Sequence, residues 1–293
     1  MRLNIIVCVK SVVNNMMPGS NRSSSGNMEL NPFDRPAIEM ALSLTKENQG
    51  SLTVLSMGPQ TATFGLYQAI AMGADRGVLI CDSALKESDT YVTAKVLGTA
   101  LLKLQPFDLV LFGTRSSDSD TGHVGPQTAQ MLGIPFIGNI HSLAVVRDKL
   151  LALHADNPST EAADQSDSRQ AVAENMQTTN IWSVERKADG YVESFEVKGR
   201  AAFTVSSSFT VSGETGFTSL HGIETAFSEK TIEFWDNSTL GLKAEETGLI
   251  ASPTKIVAWN REKRSKKCLF IDGSPEQKAQ QLAQKLSEAG FVG

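Results

Sequence analysis

Four short, predominantly apolar runs punctuate the first half of the chain: Leu3 to Val9, Leu52 to Met57, Gly77 to Cys81 and Phe107 to Phe112. Segments with helical spacing separate them. The stretch that opens at Asn31-Pro32-Phe33-Asp34-Arg35-Pro36 carries Ile38, Ala41, Leu42 and Thr45 on one face. Ala62 to Met72 ends at Gly73, and Asp89 to Leu104 spaces Val92, Val96, Leu97 and Leu101 at helical intervals. A strand that is apolar on both faces must be covered on both, and a strand that feeds a helix returns as a parallel neighbour. The alternation therefore predicts an α/β fold, an open parallel sheet with helices on both faces.

In such sheets ligands bind beyond the carboxyl ends of the strands, where the strand order reverses. Two loops with chemical character fall at strand ends. One begins at Lys10. The other is Gly113-Thr114-Arg115-Ser116-Ser117-Asp118-Ser119-Asp120-Thr121-Gly122-His123-Val124-Gly125-Pro126, which leads into an amphipathic segment from Thr121 to Leu132. Small hydroxyls, backbone amides and a helix N-terminus together make a seat for an anion, most often a phosphate. A Ser/Asp-rich turn is also an ordinary helix cap, and that is the alternative reading. Asp118 and Asp120 read first as caps for amides and second as an acid/base pair.

Absences narrow the chemistry. The net charge of −5 argues against a nucleic-acid partner, since phosphate neutralisation needs a basic surface. The basic run from Arg261 to Lys267 reads as a solvated arm. Cys8, Cys81 and Cys268 are far apart, and no paired histidine spacing occurs, so no metal site is expected. GxGxxG, GxxxxGK[ST] and GxSxG are all missing, and no catalytic residue is assigned. Leu3 to Val9 reads as a strand rather than a leader, and no apolar run reaches membrane-spanning length. These features predict a reduced, cytoplasmic protein without direct membrane insertion.

The composition changes after about residue 150. Asp156 to Asn180 is rich in Ser, Thr, Ala, Gln and acidic residues, and predicts a flexible insertion at 156–180 that tolerates shortening. Ile181 to Arg186 and Tyr191 to Val197 flank Asp189-Gly190, a hairpin signal. Ala202 to Val211, Thr231 to Trp235 and Ala251 to Trp259 read as extended, and Pro275 to Ala289 as an amphipathic helix. The chain thus divides into an α/β domain at 1–240, which carries the candidate anion seat, and a C-terminal arm and helix at 241–293. Leu249 to Trp259 is too extended to bury its own Ile250, Ile256, Val257 and Trp259. The arm is expected to wrap a partner subunit, the alternative being that it packs on its own domain.

Six blocks carry a resemblance: Ile6-Val7-Cys8-Val9-Lys10, Leu30-Asn31-Pro32-Phe33-Asp34, Leu55-Ser56-Met57-Gly58-Pro59, Ala69-Ile70-Ala71-Met72-Gly73-Ala74-Asp75-Arg76, the loop Asp118 to Pro126, and Gly248-Leu249-Ile250-Ala251-Ser252-Pro253-Thr254-Lys255. In these the chain resembles the small (beta) subunit of electron-transfer flavoproteins. The resemblance implies an adenine-nucleotide alpha-hydrolase-like fold and a heterodimer with an FAD-binding alpha subunit that shuttles electrons between a dehydrogenase and an acceptor. It implies no chemistry in the isolated chain.

By position, the resemblance places Cys8, Asn31 and Met57 at the adenosine half of a nucleotide. It places Asp118, Ser119, Asp120 and Thr121, with Gly122, His123, Val124 and Gly125, at the phosphates. The Val124-Gly125-Pro126 ending and Ser252-Pro253-Thr254 are similar to the branch with Fix and electron-bifurcating members, where FAD occupies this subunit and NADH is a redox partner. In the other branch a structural AMP sits there. Gly122 and His123 stand where the FAD branch usually has Ala and Gln. Leu220, within Gly216 to Ile223, stands where the family inserts a leucine into an acyl-CoA dehydrogenase, so a dehydrogenase of that kind, or another redox protein, is the implied partner. A free-standing adenine-nucleotide binder of the same fold is the rival reading.

Overall fold

The computed structural model describes residues 2–13, 28–146, 180–209, 218–228, 232–258 and 268–291. The expected insertion at 156–180 lies outside them except for Asn180, as does the basic run from Arg261 to Lys267. Two compact units divide the chain, Met1–Lys255 and Ile256–Gly293.

The first unit is built on the predicted alternation. Strands β1 (Asn4–Cys8), β4 (Ser51–Met57), β5 (Arg76–Ile80) and β6 (Leu109–Gly113) are parallel and side by side in the order β5-β4-β1-β6. Their side chains alternate between two apolar layers. Ile5, Val7, Leu109 and Leu111 pack into one, with helices α1 (Arg35–Asn48) and α2 (Thr63–Met72). Ile6, Cys8, Val110 and Phe112 pack into the other, with α3 (Thr90–Lys103) and α4 (Val124–Leu132). Burial on both faces explains why these strands read as apolar runs rather than as alternating ones.

The sheet is wider than the first half suggests. Strand β10 (Ala201–Val205) lies beside β6, and β7 (Phe136–Val146) beside β10, both parallel. The hairpin β8 (Ile181–Ala188) and β9 (Tyr191–Lys198) then extends β7 in antiparallel register, turning at Asp189 and Gly190, both at positive φ. On the opposite edge β11 (Ile232–Trp235) pairs with β5. The result is a nine-stranded, mostly parallel α/β sheet that ends in an antiparallel pair. Trp182 of β8 is wholly buried and donates from Nε1 to the Gly199 carbonyl at 2.7 Å.

Smaller pieces differ from the sequence expectation. Strands β2 (Ser11–Val13) and β3 (Met28–Leu30) form a separate two-stranded ribbon after β1. Leu220 begins a helix, α5 (Leu220–Ser228), rather than lying in a loop. The stretch read as extended from Ala251 instead follows a single helical turn, Gly248–Ala251. In the second unit Pro275–Glu288 is helical, opened by a capping box between Ser274 and Gln277, and its side chains are exposed.

Chain order runs outward from β1 to β4 and β5, then crosses back to β6 on the other side of β1. The order therefore reverses between β1 and β6, and their carboxyl ends flank the crevice where open α/β sheets bind ligands.

Candidate functional site

The two loops that leave β1 and β6 are tied together. Lys10 Nζ meets Asp118 Oδ1 at 2.7 Å across the crevice. Beneath that pair lies the turn Asn31-Pro32-Phe33-Asp34, closed by the Asp34 amide donating to the Asn31 carbonyl at 2.9 Å. Asn31 is almost fully buried, and its side chain bridges three segments. Its Nδ2 donates to Asp34 Oδ1 at 2.9 Å and to the Arg115 carbonyl at 2.8 Å, while its Oδ1 accepts from the Ser117 amide at 3.2 Å. The Arg115 guanidinium lies 4.5 Å from the Phe33 ring centroid and pairs with Asp120 Oδ1 at 3.1 Å.

Asp34 occupies the N-cap position of α1 yet makes no side-chain cap bond. Its Oδ2 instead accepts from the Lys10 amide at 2.7 Å. A Cβ on Gly113 would collide with Asp34 Oδ1 and lie 2.5 Å from the Phe33 carbonyl oxygen, so only glycine lets the end of β6 pass this turn. Burial pushes the Asp34 carboxyl up to about 7, against the downward pull of hydrogen bonds from Lys10, Asn31 and Gly113 and of the Lys10 charge. Burial, and then the Asp34 charge, pushes the Cys8 thiol upward, so Cys8 stays neutral. For Asp118 burial acts upward, but hydrogen bonds from Lys10, Ser116 and Ser119 and the Lys10 charge outweigh it, and the carboxyl lies below its usual range.

Beyond this strap the chain turns into α4. Asp120 and Gly122 both sit at positive φ, 56° and 66°, and a Cβ on Gly122 would come within 2.9 Å of the Thr114 carbonyl oxygen. His123 stands at the N-cap and makes no side-chain cap bond. Asp118 and Asp120 do not cap this helix: one is held by Lys10 and the other by Arg115. The loop thus offers a helix N-terminus without a side-chain cap, beside carboxylates whose charge is already offset. That arrangement favours an anion.

The residues singled out from sequence fall into three groups. Asp118 to Gly125 form the exposed lip of the crevice and the start of α4, with Gly125 itself buried against Phe112 and Thr204. Cys8 and Met57 lie on neighbouring strands and pack into the apolar layer under α3 and α4, while Asn31 has both Nδ2 hydrogens committed within the protein. Leu220 is elsewhere, 88% exposed on α5, which lies over α2 with Phe227 stacked on Tyr67 at 4.8 Å. Sequence reading did not single out Lys10, Asp34 or Arg115 as site residues. Their charges immediately follow strand ends or open a helix, which is the one local signal that could have marked them.

The sequence profile described as "Electron transfer flavoprotein domain" matches residues 23–173, more than half of the chain. This chain belongs to the electron transfer flavoprotein family. Among its relatives, "Electron transfer flavoprotein subunit beta" of Thermoanaerobacterium thermosaccharolyticum is 31% identical over 263 residues, 90% of this chain and 87% of that one. "Caffeyl-CoA reductase-Etf complex subunit CarD" of Acetobacterium woodii is 30% identical over 266 residues, 87% of this chain and 86% of that one. "Protein FixA" of Azorhizobium caulinodans is 37% identical over 142 residues, 45% of this chain and 50% of that one. The electron transfer flavoprotein match includes the Asn31–Asp34 turn and the whole loop from Gly113 to α4. Among the described residues no acidic, His or Cys cluster is arranged for a metal ion, and no helix is long and apolar enough to cross a membrane.

Proposed function

We propose that this chain is the beta-type subunit of an electron transfer flavoprotein and holds an FAD in the crevice between β1 and β6. When bound, FAD supplies one- and two-electron chemistry that no side chain here provides. Its pyrophosphate would lie over Ser119 to Gly125 at the start of α4, with the adenosine half toward Met57 and Cys8. The observation that carries this reading is the α4 N-terminus without a side-chain cap, behind Gly122, at the strand-order reversal. A Gly at positive φ lets backbone amides approach a pyrophosphate closely.

The roles of the protein groups follow from their bonds. Lys10 and Arg115 hold Asp118 and Asp120, so the seat does not repel an anion. Asn31 positions the loop rather than reading the base, because its amide hydrogens are spent within the protein. The subunit pairs in the cytoplasm with an FAD-binding alpha subunit, and Leu220 on α5 meets a dehydrogenase- or reductase-type redox protein. Relatives named "Caffeyl-CoA reductase-Etf complex subunit CarD" and "Acryloyl-CoA reductase electron transfer subunit gamma" support a reductase-type partner. NADH as the reductant of a bifurcating arrangement rests on the resemblance of the Val124-Gly125-Pro126 ending to that branch.

Denaturing the purified native complex and separating the released nucleotides tests this. Two FAD per heterodimer supports the reading. One FAD with one AMP assigns the structural-AMP alternative, and one FAD alone rejects the crevice as a nucleotide site.

A further inference from the structure

The Asp34 carboxylate is an unusual N-cap. It forgoes the α1 amides and turns into the crevice, where Oδ1 accepts from Asn31 Nδ2 and Oδ2 from the Lys10 amide, with the Gly113 amide a further donor. Every neighbour here is an N–H. A proton on either oxygen would put an O–H among these donors, leave no spare acceptor position, and turn charge-assisted bonds into weaker neutral ones, so the hold on the most movable donor loosens. The Gly113 amide belongs to β6 and the Lys10 amide to the backbone link between β1 and β2, whereas Asn31 donates from a side chain and is the movable member. It is also the piece that holds the Arg115 carbonyl and the Ser117 amide, and with them the loop that leads to α4.

We propose that Asp34 is a positioning residue: its ionised carboxylate locks Asn31, Asn31 locks the phosphate-facing loop, and nucleotide affinity falls as Asp34 takes up a proton. The inference rests on the nucleotide reading above and adds the device that regulates it. Burial brings Asp34 to about 7, so the switch works near neutrality. The ionisable groups on the surrounding elements are Cys8 and Lys10 at β1, Arg35 and Glu39 on α1, and Arg115 and Asp118 after β6. Lys10 and Cys8 are the ones coupled to Asp34; the first favours its anion, and the second stays a neutral thiol. Plain charge repulsion between Asp34 and a phosphate would act with the opposite sign, tightening binding in acid, so the direction of the pH profile separates the two.

The probe is ADP-ribose, whose pyrophosphate diester does not titrate between pH 6 and 8. Its affinity for the full-length chain is measured by calorimetry across that range. If the loop binds only with Asp34 ionised, affinity scales with the ionised fraction and is about tenfold weaker at pH 6 than at pH 8. Asp34→Asn, which cannot take up a proton, should flatten the profile. Should that variant not fold, Asn31→Ala, which removes the lock, should bind weakly and with no pH dependence. A flat wild-type profile, or tighter binding at pH 6, overturns the proposal and leaves the nucleotide site standing. No binding of ADP-ribose at any pH by the folded chain rejects the site and the switch together.

Discussion

Lys10 at the exit of β1 and Asp118 in the loop after β6 meet at 2.7 Å, directly over the point where the strand order reverses. Both side chains are more than a third exposed, so the pair adds little to global stability, about 0.2–1 kcal/mol at most. Its role is local. Lys10→Met should leave the urea midpoint nearly unchanged while freeing the Asp118 charge at the anion seat, so that nucleotide is lost from the purified complex. Because the Asp118 carboxyl is depressed, whatever stability the pair contributes is fully present above the ordinary carboxylate range, near pH 4. It is lost only as the pH falls through the lower folded value. A stability loss in Lys10→Met larger than about 1 kcal/mol at pH 7, or one that does not shrink as the pH falls below the carboxylate range, would contradict this.

Gly113 and Gly98 provide a matched comparison. A methyl at position 113 meets Asp34 and the backbone of Phe33, atoms that cannot yield, whereas a methyl at position 98 in α3 finds Met131 Cβ at 3.9 Å, an ordinary contact. Gly113→Ala should cost about 1–3 kcal/mol through overpacking. Gly98→Ala should be neutral or stabilise by about 0.4–1 kcal/mol, since the helix gains and the unfolded chain loses freedom. Chemical denaturation of both variants decides it, and equal effects would mean that the turn under β6 is softer than its geometry requires.

Much of this was legible in sequence because the signals are local. The four apolar runs became β1, β4, β5 and β6 because both faces of each are covered, and Gly113 to Pro126 marked the loop that crosses from strand to helix. Strand β7 was not legible: Gly138 and a positive-φ Asn139 interrupt its apolar pattern, and its register against β10 shifts between Phe203 and Val205. The strap at the site was hidden for another reason. Lys10 and Asp118 are 108 positions apart, and Asn31 and Ser117 are 86 apart. No short-range pattern announces such a meeting, so the sequence marked Asn31 for a nucleotide contact and gave no sign that its amide also ties the loop to Asp34.

Asp89 closes the carboxyl side of β5 in a similar way. Its side chain caps α3 through the Val92 amide at 3.0 Å and accepts from the Thr254 amide at 2.9 Å, while its own amide donates to Ser252 Oγ at 2.9 Å. Asp89→Ala should cost about 1 kcal/mol from the lost cap. It should also release the Ser252–Thr254 clip, seen as faster proteolytic cutting at 252–258. Unchanged cutting would show that the neighbouring Ser252 bonds suffice alone.

Past the clip the apolar side chains have no cover within their own segments. Ile256 and Val257 are 86% and 99% exposed, and Leu269 and Phe270 are 76% and 89% exposed. Burying each against a partner would contribute about 1.5–3 kcal/mol. If the arm wraps a partner subunit, as the sequence leads one to expect, amide exchange at 255–258 and 268–272 should be fast in the isolated chain and slow in the heterodimer. Strong protection without a partner would show that the arm packs on its own chain.

The flavin stoichiometry of a Gly122→Leu heterodimer, set beside the wild type, tests the central claim most directly. A leucine at this positive-φ position, with its Cβ near the Thr114 carbonyl, closes the backbone approach in front of α4. The FAD of the alpha subunit serves as an internal count. Two FAD in the wild type and one in the variant is the predicted result. Two FAD retained in the variant would place the nucleotide elsewhere and contradict the account.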